Sequence, residues 1–168
     1  MENKTMTRKT STWVNDRELH LSRVIDAPPE LVFKAWTDPE MMKHWFVPKP
    51  WSIARIESDV RPGGSTLVVM RDPEGNEYPN PGVYLDIVPG RRIVATDAYV
   101  KAWEPSEKPF MTMDLTFDPE DGGRKTLYRA RVLHWNVPDR EAHEKMGFHD
   151  GWATCAEQLA AYLATLQG

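Results

Sequence analysis

With a single cysteine, Cys155, in 168 residues, the chain cannot close an internal disulfide and must be held together by its core. No apolar run comes near the roughly 18 residues that a membrane-spanning helix needs. The opening stretch, MENKTMTRKTSTWVNDRE, has no apolar segment of the kind that directs secretion. These absences make the cytoplasm the expected location and a membrane an unexpected partner. Positive charge is not in excess either. Lys and Arg number 21 against 25 Asp and Glu, a net charge of -4, so the surface as a whole does not attract a phosphate backbone and nucleic acid is not expected.

Signatures of cofactor and catalytic chemistry are missing as well. HEKMGFHD begins like a zinc-binding HExxH helix, but Gly147 stands where the second His belongs. His143 and His149, six apart, would leave one helix on different sides. Solvated or capping roles are expected for both, and no metal. DVRPGGST lacks the Gly-Lys-Ser/Thr ending of a phosphate loop and reads as a turn between strands. No serine sits in a G-x-S-x-G elbow. No cofactor is expected, and no catalytic residue is assigned. Cys155 falls on an apolar helical stripe with no His in register, the pattern of a small buried hydrophobe.

What is present reads as one domain. Residues 1–15 are polar and without periodicity, the pattern of a mobile tail with Trp13 able to dock back, and the domain itself spans 16–168. ELHLSRVI alternates Leu19, Leu21 and Ile25 with polar neighbours and predicts a strand with one buried face. DAPPELVFKAW puts prolines at a helix start, with Leu31, Val32 and Trp36 on one side. TDPEMMKHW predicts a second short helix capped by Asp38. From Trp51 to about Asn136 the turn signals PGG, DPEG, PG and DPEDGG divide an antiparallel run of strands. The clearest is FMTMDLTF, with Met111, Met113, Leu115 and Phe117 on one face. After Pro138 one long helix is predicted, carrying Phe148, Trp152, Cys155, Leu159, Leu163 and Leu166 at helical spacing. The class is α+β, with the helix burying its stripe on the sheet.

This order, together with RVIDAPPELVFKAWTDPEMMKHWF, the DVRPGG turn, GVYLDIVPGRRIVATDAY and HEKMGFHDGW, resembles the SRPBCC or START-like superfamily. Within it, the likeness is closest to the branch named after the activator of the ninety-kilodalton heat-shock chaperone's ATPase. The resemblance covers about Leu19 to Leu166. It implies a helix-grip fold, a curved antiparallel sheet around the long C-terminal helix with an apolar cavity between them. On that reading KHWFVPKPW, which carries Trp45, Phe46 and Trp51 around two prolines, covers the cavity mouth.

Further walls are expected from strand pairing. A tight hairpin at Pro89 and Gly90 sets residue 86 opposite 93, 84 opposite 95 and 82 opposite 97, so that Tyr84, Asp86 and Asp97 share a face with Ile93 and Ala95. Tyr99 continues that alternation. A register slip of one residue turns both carboxylates to water. YRARVLH groups Tyr128 and His134 inward, as donors to such a carboxylate. Trp36, Trp103 and Trp152 supply further rings, and Gly147, Gly151 and Cys155 form an i, i+4, i+8 row of small side chains beside Phe148. Three functions follow from the resemblance. One is a carrier or sensor for a small apolar molecule, aromatic or lipid-like. A second is a polyketide cyclase- or aromatase-like enzyme using His134 or Asp97 for proton transfer. The third is a protein that binds a chaperone, against which the tail leaves no room for the extra N-terminal domain of the full activator. Monomer and homodimer stay open.

Overall fold

A computed structural model of the chain describes residues 3–7 and 9–167. Among these, the elements in chain order are β1 (Asn3–Thr7), β2 (Thr10–Asn15), β3 (Glu18–Ile25), α1 (Pro29–Thr37), α2 (Pro39–Met42), β4 (Ser52–Ser58), β5 (Ser65–Arg71), β6 (Glu77–Val88), β7 (Arg92–Thr96), β8 (Tyr99–Lys101), β9 (Glu104–Pro105), β10 (Thr112–Glu120), β11 (Lys125–Leu133), α3 (Val137–Lys145) and α4 (Phe148–Gln167). Nine strands form one antiparallel sheet in the order β1-β2-β3-β11-β10-β7-β6-β5-β4, and β8 pairs with β9 alone. This is the α+β helix-grip architecture expected from the sequence. No described helix is long and apolar enough to cross a membrane.

The helices form where their signals predict. Pro29 opens α1, where a missing N-H costs nothing, and Val32, Ala35 and Trp36 face the core. Asp38 caps α2 by accepting the Glu40 N-H at 2.9 Å. On β10, Leu115 and Phe117 are buried and Met113 packs against the core, the predicted phase.

α4 lies across the strands at the β1–β3 end of the sheet. Ala153 and Ala156 are fully covered, so short side chains let the helix approach closely, and Leu159 and Leu163 fill the core with Leu21, Ile25 and Tyr128. Each buried leucine contributes about 1.5–3 kcal/mol. The contact also has a polar edge. Glu157 accepts from Thr10 Oγ1 at 2.5 Å and from Arg23 Nε at 2.9 Å, and His149 Nδ1 lies 2.8 Å from Thr12 Oγ1.

Three expectations are corrected. Where a mobile tail was expected over 1–15, the described residues 3–7 and 10–15 form β1 and β2, and Thr12 pairs with Leu21 of β3. Thr10, Ser11 and Thr12 are buried through hydrogen bonding rather than hydrophobicity, so no apolar period announces them. The predicted single terminal helix is two, because Gly147 takes φ +100° between α3 and α4. Finally, β6 carries a bulge between Tyr84 and Asp86. Tyr84 opposes Ala95 as expected, but Asp86 opposes Val94 and Ile87 opposes Ile93. The extra residue turns Asp86 outward, where it meets Arg92 at 3.5 Å.

The two glycines flanking Phe148 should respond oppositely to alanine. Gly147→Ala forces a side chain into the left-handed region and is expected to cost about 1–2 kcal/mol. Gly151→Ala adds a Cβ that meets nothing within 4 Å on a regular helix and should gain up to about 1 kcal/mol. Urea denaturation of the two variants measures both signs.

Candidate functional site

The segment His44–Trp51 is pinned to α4. Gln158 Nε2 donates to Trp45 O at 3.0 Å and Val47 O at 2.8 Å, while Gln158 Oε1 accepts the Lys49 N-H at 3.2 Å. Cys155 Sγ donates to Phe46 O at 3.4 Å, and His44 stacks on Tyr162. Cys155 and Gln158 share one side of α4, and Gly151 continues that side one turn earlier, beyond the covering segment. His44, Trp45 and Phe46 therefore cover the helix and the core beneath it. From α1, Trp36 meets Trp45 at 4.9 Å and Phe46 at 5.4 Å between ring centres, and Trp45 Nε1 is held by Ala35 O at 3.1 Å.

Behind this cover lies a packed set of apolar side chains, the lining expected of a chamber. Trp36 of α1, Tyr128 of β11 and Trp45 are buried, and Phe46, Met113, Trp152 and Cys155 pack against them half-buried. Tyr128 lies with its ring centre 6.3 Å from that of Trp36. The Trp36 indole N-H is fully buried and makes no hydrogen bond of ordinary length among the described residues, but it lies close enough to act as a weak donor to the Tyr128 hydroxyl. The Tyr128 hydroxyl lies near enough to feel the indole, but burial dominates and pushes the phenol well above its ordinary range. Burial likewise pushes the Cys155 thiol up to about 12. At neutral pH both groups are therefore uncharged.

Other residues expected in the site are elsewhere. Trp51 is half-exposed against Tyr78, Tyr99 lies exposed on β8, and Trp103 is 91% exposed at the β8–β9 turn, so these three rings do not wall an interior. Tyr84 is buried in the core. Asp97 is not a free cavity carboxylate: its Oδ1 accepts the N-H groups of Phe110 at 2.7 Å and Met111 at 3.0 Å, fixing the entry to β10. Met111 and Phe148 belong to a second cluster with Leu19 and Val132. Asp86 faces outward, and Gly147 terminates a helix instead of lining a groove.

His134 and His143 form an arrangement that the sequence did not suggest. His143 is neither solvated nor a cap. It is 8% exposed, and its Nδ1 lies 2.9 Å from Nε2 of His134, itself 3% exposed. Only the predicted inward phase of His134 hinted at a buried partner. Among the described residues no three His, Cys, Asp or Glu side chains converge to hold a metal ion. Two surface clefts, of about 270 Å³ beside Trp13 and Thr116 and about 470 Å³ beside Glu57 and Lys101, share no residue with the chamber.

A family model described as "Activator of Hsp90 ATPase homolog 1-like protein" matches residues 26–164. Among solved structures, a protein from Nitrosomonas europaea is 41% identical over 89% of this chain and 96% of its own, with a TM-score of 0.84. One from Chromobacterium violaceum is 28% identical over 86% of this chain and 95% of its own, with a TM-score of 0.66. A Rhodobacter sphaeroides protein shares the fold at a TM-score of 0.80 with 19% identity, over 94% of this chain and 99% of its own. Comparison with curated proteins gives no match.

The environment of Cys155 has a measurable consequence. With the thiol raised to about 12, its thiolate fraction at pH 8 should be at least about tenfold below that of an ordinary cysteine. Iodoacetamide should alkylate the native protein correspondingly more slowly than the urea-unfolded chain. The rate ratio, followed by mass spectrometry, measures it.

Proposed function

Because the chain belongs to the family described as Activator of Hsp90 ATPase homolog 1-like protein, we propose that it binds a small apolar molecule, aromatic or lipid-like, in the chamber between the sheet and α4, as a carrier or sensor. The observation that carries this reading is the buried Trp36 N-H, which sits among apolar side chains with only a weak donor contact to the Tyr128 hydroxyl and no hydrogen bond of ordinary length. Buried donors in folded proteins are nearly always paired, and a ligand oxygen would pair this one. The half-buried Phe46, Met113, Trp152 and Cys155 are the side chains that a ligand arriving from the Gly151 side would meet first. With Cys155 and Tyr128 both held protonated, the chamber offers no nucleophile and no base, which favours binding over turnover.

Two uncharged fluorophores test this reading, prodan, which carries a ketone, and N-phenylnaphthylamine, which has no carbonyl. Both should bind and perturb tryptophan emission, and Gly151→Phe, which fills the approach, should abolish both. Trp36→Phe keeps an aromatic ring but a smaller one and removes the N-H, so prodan should lose roughly five- to tenfold more affinity than N-phenylnaphthylamine does, the scale of one hydrogen bond. Binding of neither fluorophore to the folded wild-type protein, or equal binding to wild type and Gly151→Phe, overturns the proposal.

A further inference from the structure

His134 closes β11 and His143 lies on α3, so the bond between them ties the last helical pair to the sheet. The protons on this bond can be placed. His134 Nδ1 lies 2.9 Å from the Arg17 carbonyl oxygen, which only accepts, so Nδ1 carries the hydrogen. A neutral His134 then offers Nε2 as acceptor, and the His143 Nδ1-H donates to it across 2.9 Å. The chain Arg17 O, His134, His143 thus strings the β2–β3 turn, the end of β11 and α3 together. A second tie runs from Arg140 Nε to Asp16 O at 2.9 Å.

The cage around His143 is apolar. Ring centres of Phe110, Phe148 and Trp152 lie 4.9, 5.3 and 6.5 Å from it, and Phe148 lies 5.3 Å from Trp152. Trp152 is also a wall of the chamber. Between α3, which carries His143, and α4, which carries Trp152, stands Gly147 at φ +100°. A latch, a hinge and a shared wall therefore adjoin.

We propose that the His134–His143 pair is an acid-sensitive latch regulating the chamber: with both rings neutral it holds α3 on the sheet and Trp152 in place, and on protonation α3 swings away about Gly147 and loosens the wall. The regulation rests on the reading of the chamber as a binding site. The first proton has only His143 Nε2 to occupy, which puts a cation among three rings. A second proton takes His134 Nε2 and removes the acceptor of the bond. Charged and titratable groups facing the pair are Asp97 from the β7–β8 connection, Asp139 and Arg140 from α3, and His149 from α4. The pair's own hydrogen bonds go to Arg17 O and to each other, not to a carboxylate that could hold a proton in place. Burial lowers both imidazoles, His143 to about 4, with His134 and His149 adding to the effect at His143. A histidine kept neutral contributes stability that is complete above its free value of 6.5 and is lost as pH falls toward 4.

Hydrogen exchange of the amides of residues 137–145 reads the latch directly, corrected for the intrinsic pH dependence of exchange, alongside N-phenylnaphthylamine titrations. Protection of that segment should fall roughly thirtyfold between pH 7.5 and pH 5, the ratio for one group moving from 6.5 when released to about 4 when held. Fluorophore affinity should weaken over the same range. In His143→Asn the side-chain amide donates to His134 in place of the imidazole without titrating, and the fall should be markedly smaller, what remains coming from His134. Protection that is constant in wild type, or that falls equally in His143→Asn, overturns the latch. Loss of protection without loss of affinity overturns its coupling to the chamber. Failure of the fluorophore to bind at pH 7.5 overturns the chamber reading instead, and exchange still decides the latch. Should His143→Asn not fold, the wild-type exchange profile alone decides.

Discussion

A buried carboxylate sets the rotation of the long helix. Glu157, gripped by Thr10 of β2 and Arg23 of β3, has one orientation in which its charge is paired, and a helix turned by even one residue would leave glutamate and arginine unpaired beneath a close contact. Both side chains are almost fully covered, so breaking the pair costs far more than losing an exposed ion pair. Hydrophobic contact alone would let Leu159 and Leu163 slide; the polar clamp does not. With that side of α4 committed to β2 and β3, the opposite side, carrying Gly151, Cys155 and Gln158, must face the His44–Trp51 segment. The contact of that segment with Cys155 and Gln158 thus depends on a salt bridge on the far side of the helix.

Gly147 supplies the second constraint. A residue with a Cβ would favour continuing α3 into α4, and His143 would then leave the sheet along the helix axis. The left-handed turn instead folds α3 back over the end of β11, and the His143 ring reaches His134. The helical break therefore creates the buried pair, and the same glycine that spoils the HExxH spacing makes His143 an interior residue.

Where one face of an element is buried and apolar, the sequence was enough. β3, β10 and β11 have the predicted phase because Leu21, Leu115, Phe117, Tyr128 and Val132 leave no other inward set. Asp38 and the two prolines of DAPPE mark the short helices through local backbone chemistry. What escaped detection depends on non-local partners. β2 is polar yet buried, since Thr10 and Thr12 are satisfied by Glu157 and His149 about 140 residues away in sequence. Arg23 holds an inward position that periodicity would assign to an apolar residue, for the same reason. The bulge that turns Asp86 outward is one inserted residue, and no alternation within β6 reveals which residue is extra. Of the rings assigned to the cavity, Trp36, Trp45, Phe46, Tyr128 and Trp152 do converge, whereas Trp51, Tyr99 and Trp103 sit on connections whose orientation depends on neighbours the pattern cannot supply.

The interior is also chemically consistent. Burial drives each of its titratable groups toward its uncharged form: Tyr128 and Cys155 upward, His134 and His143 downward. At the helix edge Glu157 and Arg23 neutralise one another, and Asp97 is held by two backbone N-H groups. A space of this kind discriminates by desolvation. An ionised molecule would lose its water and gain no counter-charge, whereas a neutral one with a single acceptor oxygen would lose little and could pair with the buried Trp36 N-H. The selectivity of such a chamber follows from what it cannot stabilise. On the proposed latch, protonating the histidine pair would place a cation next to neutral contacts, so acid would act on the proposed site through that same intolerance of charge.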